Sequence, residues 1–203
     1  MDVVGERWNL LLVRELSLGP RRPRDLAAGL PGIPSNVLAA RLKDLQAAGV
    51  VVRRTLPAPT DVTVYELTDA GRALQPAFKE LLAWGRRAPE PAPDDAVQPS
   101  WAMQSVIGRP SALAEGQTCE LRIEDEVFYL GSDGGRATVR RAPAPDGDVV
   151  VTMSLDTLYS LLTGQATATD ALGRGTVDGE VGIAHHALEA FAGAGLVEQA
   201  TAG

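Results

Sequence analysis

Between Ser35 and Leu45 the sequence sets two kinds of side chain on opposite sides of one helix. At about 100° per residue, Leu38, Leu42 and Leu45 fall within roughly 60° and must face a core. Asn36, Ala39, Ala40 and Lys43 then form the outward face, narrow and free of acids. That face suits a DNA major groove. Asn36 matches the donor and acceptor of adenine, Lys43 reaches guanine or a phosphate, and alanine methyls pack on thymine methyls. Ser35 reads as the N-cap of this helix. Arg41 lies on the flank, placed for a phosphate or an intradomain ion pair. Arg21, Arg22 and Arg24, at the start of the preceding helix, can anchor the DNA backbone, and Arg53 and Arg54 stand at the base of a hairpin. A leucine stripe under a polar face also describes an ordinary surface helix or a protein-docking module, so periodicity alone leaves the partner open.

Other chemistries find less support. His185 and His186 are adjacent, and neighbours on a helix point about 100° apart, a poor joint metal site. The single cysteine, Cys119, has no histidine near it in sequence and fits a strand pattern as a small core residue. No glycine run carries the Lys-Ser/Thr of a phosphate loop. No nucleophile and base come together, so neither an enzyme, a cofactor nor a metal site is expected.

The elements that must position the first set read as helix, helix, helix, hairpin, helix. Trp8, Leu11, Leu12, Glu15 and Leu16 mark one face of a first helix ending near Gly19-Pro20. Leu26 and Leu30 give a shorter one closed by Pro31-Gly32, and the third runs from Ser35 to about Ala48 with Gly49 as its stop. Residues 50–56 and 62–67 read as paired strands, and Thr68-Asp69 caps a last helix with Leu74, Phe78, Leu81, Leu82 and Trp84. Two helices joined by a tight turn and followed by a two-stranded ribbon make a winged helix-turn-helix.

Several stretches resemble the HxlR family of bacterial regulators. They are Asp2-Val3-Val4-Gly5-Glu6-Arg7-Trp8 with Leu11-Leu12-Val13-Arg14-Glu15-Leu16, then Gly19-Pro20-Arg21-Arg22-Pro23-Arg24-Asp25-Leu26. Leu38-Ala39-Ala40-Arg41-Leu42-Lys43-Asp44-Leu45 and Tyr65-Glu66-Leu67-Thr68-Asp69-Ala70-Gly71-Arg72 follow in order, so the likeness covers residues 2–88. The resemblance implies a homodimer on an inverted DNA repeat, with partner contacts through terminal helices. The family often carries a cysteine ahead of the first helix. This sequence opens inside that helix, so thiol sensing there is not expected, and either the dimer differs or the true start lies upstream. The wing tip Ala58-Pro59-Thr60-Asp61 lacks the basic residue expected for a minor groove, a role open to Arg53 and Arg54.

Four prolines within residues 89–99 cannot sustain a helix and read as a stiff spacer between domains at residues 1–88 and 100–203. Past it, residues 119–130 alternate as two strands around Glu124-Asp125-Glu126, Ala137-Val139-Arg141 and Val149-Val151-Met153 suit two more, and Leu155 to Leu162 form an amphipathic helix. A short helix near residues 169–172, a strand near residues 175–177 and a closing helix with Ile183, Ala187, Ala190 and Phe191 complete an α+β layer with a mostly antiparallel sheet. Asp148-Val149-Val150-Val151-Thr152-Met153-Ser154-Leu155, Leu161-Leu162-Thr163-Gly164 and Gly175-Thr176-Val177-Asp178-Gly179-Glu180 resemble the sterol-carrier-protein type-2 family over residues 99–194. The resemblance implies an apolar tunnel lined by Leu121, Ile123, Phe128, Leu130, Val151, Met153, Leu158, Leu162 and Phe191. Any one of these also suits a closed core.

Charge separates the halves. Residues 1–88 hold 13 basic and 9 acidic side chains, a balance of +4, whereas residues 89–203 hold 6 and 17, a balance of −11. Such asymmetry argues for two domains with different partners. No apolar run reaches the ~20 residues that span a bilayer, and the start lacks a signal peptide's basic region, so a cytoplasmic protein is expected. The expected function is a ligand-responsive, homodimeric DNA-binding regulator of transcription with a lipid-like or polyketide-like apolar effector. The alternative is an apolar-ligand carrier whose winged helix serves dimerisation or protein contact.

Overall fold

A computed structural model of the chain describes residues 3, 5–56, 62–85, 98–142 and 147–192. It divides into two compact units, Met1–Glu80 and Leu81–Gly203. The division falls ahead of the expected spacer, most of which (residues 89–97) lies outside the described residues. The wing tip, residues 58–61, lies outside them as well.

The first unit runs α1 (Asn9–Leu16), α2 (Pro23–Gly29), α3 (Ser35–Ala47), β1 (Val51–Thr55), β2 (Thr63–Leu67), α4 (Asp69–Arg72) and α5 (Gln75–Gly85), the last crossing the division. The leucine stripes meet as the periodicity demands: Leu12, Leu16, Leu26, Leu30, Leu38, Leu42 and Leu45 form one buried cluster with Val50, Val51 and Leu67. α3 stops where Gly49 turns left-handed at φ 69°. There the Val50 amide donates to the Leu45 carbonyl at 2.9 Å and the Gly49 amide to Gln46 at 3.0 Å, closing the helix with two reversed bonds. Two local readings change. Ser35 is the first residue of α3 and makes no cap bond; Pro34, extended at φ −68° and ψ 143°, holds the cap position. Its carbonyl takes the first helical hydrogen bond, from Leu38 at 2.9 Å. The single last helix is two helices, because Pro76 has no N–H and its ring excludes the carbonyl four residues back.

The second unit begins with α6 (Pro99–Gln104), a helix not among those expected from periodicity, and its proline occupies the first turn, where a missing N–H costs nothing. β3 (Cys119–Ile123), β4 (Glu126–Asp133), β5 (Arg136–Arg140), β6 (Val149–Met153), α7 (Leu155–Leu162), α8 (Ala168–Arg174), β7 (Thr176–Gly179) and α9 (Val181–Glu189) follow. The strands form one sheet in the order β5-β4-β3-β6-β7. The sheet is mostly antiparallel, as expected from sequence, with β3 and β6 as its one parallel pair among the described residues. The β3-β4-β5 meander fills one side of β3, so the chain must cross over to add β6 on the other. α8 and α9 pack on β6 and β7, and α9 also reaches β3.

Candidate nucleic-acid interface

α3 turns Leu38, Leu42 and Leu45 inward and leaves Ser35, Asn36, Ala39, Ala40 and Lys43 exposed. The helix is preceded by a tight turn in which Gly32 takes φ 84°, a conformation that would strain a side-chain-bearing residue. The exposed face is therefore convex, small-sided and carries one cation. Arg22 holds the cap position of α2 in extended backbone, and Arg24 lies on its exposed side, 3.3 Å from Asp25.

The arginines separate into two groups. Arg41 is held between Asp44 at 3.1 Å and Glu6 at 3.7 Å, the intradomain pairing among its two expected roles. Arg54 pairs with Glu66 at 3.4 Å across the hairpin. Arg53 is exposed on β1 opposite Tyr65. Arg21 departs from its expected role as a backbone anchor. Its guanidinium turns inward onto Glu15, whose side chain is only 1% exposed, and Arg14 meets the same carboxylate from the other side at 3.3 Å. Burial lowers the Arg14 pKa, and the adjacent Glu15 acts in the opposite sense. Arg21 also exchanges both backbone hydrogen bonds with Tyr65, at 2.9 and 2.8 Å, and so adds a single bridge to the wing ribbon. The signal was in the sequence: Glu15 sits within the apolar stripe of α1, and a carboxylate on a core face demands a buried cation.

In the second unit, Leu121, Ile123, Phe128, Leu130, Val151, Met153, Leu158, Leu162 and Phe191 are all buried. The strand register puts Leu121 beside Phe128 and Val151, Cys119 beside Leu130, and Ile123 beside Met153, so one sheet face collects them. At its edge Arg141 lies 5.7 Å over the Phe128 ring and donates to Glu126 at 2.8 Å. The apolar layer therefore carries a cation at its margin, whereas the lining expected from sequence holds none. Cys119 is fully buried, and burial, with a smaller push from Glu120, raises its thiol to about 12. His185 faces Glu189 at 3.5 Å. Among the described residues no cluster of three or more His, Cys, Asp or Glu could hold a metal ion, and no helix is long and apolar enough to cross a membrane.

Comparison with known proteins falls on the N-terminal 90 or so residues. A model of the HxlR-like helix-turn-helix family matches residues 3–92. The HTH-type transcriptional regulator YodB of Bacillus subtilis is 38% identical over 90 residues, covering 44% of this chain and 80% of that protein. YvaP, an uncharacterized HTH-type transcriptional regulator of the same organism, is 36% identical over 92 residues, covering 45% and 85%. The solved structure of reduced YodB overlays 45% of this chain and 89% of its own at 37% identity, with a TM-score of 0.40. The leucine-packed α2–turn–α3 unit and its wing thus have relatives matched over most of their own length, and through its first 90 or so residues the chain belongs to the HxlR-like helix-turn-helix family of transcriptional regulators.

Proposed function

We propose that the chain binds a palindromic DNA operator as a homodimer and that its second unit senses an apolar small molecule. The observation that carries the DNA half is the exposed face of Asn36, Ala39, Ala40 and Lys43 on α3, with Asp44 at its edge tied to Arg41. Arg22, Arg24 and Arg53 supply phosphate contacts beside it, and a two-fold dimer places two such faces one helical turn apart, about 10 base pairs centre to centre. Residues 3–92 contain no cysteine and Cys119 is buried, so the input is assigned to a noncovalent ligand. The sterol-carrier likeness is part of the same proposal. A helix-backed sheet face and nine buried apolar side chains support it, with the carboxylate-pairing Arg141 at the margin. Ligand regulates only to the extent that it binds two states with different affinity. The protein acts in the cytoplasm and catalyses no reaction.

Selection of bound duplex from a random pool, with and without prior delipidation, tests both halves. An inverted repeat is expected, with recovery altered by delipidation. A folded dimer that selects no sequence at low salt overturns the regulator. The second reading, an apolar-ligand carrier whose winged helix serves assembly, draws on exposed Leu81 and Trp84 along α5. It gains if a fluorescent apolar probe is taken up, and blocked by Leu162→Trp, in a protein that selects no duplex.

A further inference from the structure

One carboxylate in the first unit has no role in an apolar core. Glu15 is buried on α1, and burying an ion pair is at best weakly stabilising compared with an apolar pair of similar volume. Stability alone does not account for it, but its place in the fold does. Its partner Arg21 forms a single bridge on the wing ribbon, joined to Tyr65 by two backbone bonds. Tyr65 in turn faces Arg53 in the β1–β2 register, so Arg21, Tyr65 and Arg53 are lateral neighbours on one face of the ribbon. α2, the first helix of the helix-turn-helix, closes over the same ion pair through Gly29. A Cβ there would stand 2.6 Å from both Arg21 Nη1 and Glu15 Oε2. α1, α2 and the wing therefore meet at a single charged contact.

We propose that Glu15 is a positioning residue for DNA binding: by holding Arg21 it fixes the wing, and with it Arg53, relative to the helix-turn-helix. This rests on the DNA-binding reading above. α3 and the wing touch different parts of a duplex, so their mutual placement must be held to about 0.5 Å for both to bind at once. Apolar side chains can slide past one another, whereas a carboxylate gripping a guanidinium is directional. Gly29 keeps α2 close enough to enclose that grip.

The test measures binding of the full chain to a fluorescein-labelled duplex carrying the selected operator. Arg53→Ala should weaken wild-type binding by roughly fivefold, and by less than about twofold when placed on Glu15→Gln, because the wing is already unmoored. Lys43→Ala, which reports on α3, should cost the same factor in both backgrounds. A merely structural Glu15 would lower the melting temperature and leave the Arg53 factor unchanged, and that result overturns the proposal. So does an Arg53→Ala protein that binds like wild type. If Glu15→Gln does not fold by circular dichroism, Gly29→Ala takes its place, since it displaces the pair while keeping both charges. It should abolish the Arg53 factor in the same way. A wild-type chain that selects no duplex at all sinks the DNA reading and the brace together, whereas selection with an unchanged Arg53 factor sinks the brace alone.

Discussion

Lys43 and Arg22 are both cations beside the turn of the helix-turn-helix, yet they should behave differently on DNA. Lys43 projects from the outward face of α3, whereas Arg22 caps α2 with its side chain half-buried. Lys43→Ala or Asn36→Ala should cost about 1–3 kcal/mol on the selected operator and relax its sequence preference. Arg22→Ala should weaken binding to all duplexes alike and flatten the salt dependence. Titration of selected and scrambled duplexes at two salt concentrations separates the two behaviours, and equal losses on both for Lys43→Ala would contradict its place at the base edges. Cys119 makes a second residue-scale prediction. Its thiol is raised to about 12 by burial and is fully enclosed, so the native protein should resist a thiol reagent at pH 8 and react fully in denaturant. Rapid labelling of the folded chain would mean that β3 opens far more readily than its packing implies.

Among the elements, the end of α3 offers a clean measurement. Gly49 sits at φ 69° with nothing within 4 Å of where a Cβ would stand, so a substitution there meets only backbone strain. Gly49→Ala should destabilise the protein by about 1 kcal/mol, and Gly49→Asn by less, because asparagine tolerates the left-handed region. Equal melting temperatures for the three proteins would show that the closing turn relaxes freely. α8 makes a pH prediction. Its capping box joins Thr167 and Asp170, and hydrogen bonds from the Thr167 side chain and backbone hold the Asp170 carboxyl below its ordinary value. A carboxyl lowered in the folded state adds stability above its unfolded pKa and loses it as pH falls through the folded one. Thr167→Ala should therefore reduce stability near neutrality and shrink the loss seen on acidification. An unchanged acid limb would show that the box is not retained in solution.

For the whole molecule, the exposed stretch of α5 matters most. Trp84 is 70% exposed and Leu81 46%, while Phe78 on the same helix packs against the first unit's core. Leu82, expected on that face, lies outside the described side chains. Light scattering should return twice the 21.3 kDa chain mass, and Trp84→Glu should shift it towards the monomer and weaken binding to a palindrome more than to a half-site. A wild-type monomer at micromolar concentration would remove the two-fold operator with it.

The sequence by itself determined the helix-turn-helix, its inward leucines and its outward Asn36, Ala39, Ala40 and Lys43, because a helical period of 3.6 leaves little choice once the apolar positions are set. It also determined the order of the strands along the second unit, through their period of two. Only the tertiary structure decided that β3 and β6 run parallel, since pairing across a crossover leaves no mark on local alternation. It alone decided which arginines face outward. Arg21, Arg41, Arg53 and Arg54 look alike in the sequence, and what separates them is where the fold puts each: Arg21 on Glu15 buried on α1, Arg41 on Asp44 one turn along, Arg54 on Glu66 across the hairpin, and Arg53 exposed on β1. Such pairings depend on distances between residues remote in the chain, and no periodicity encodes those.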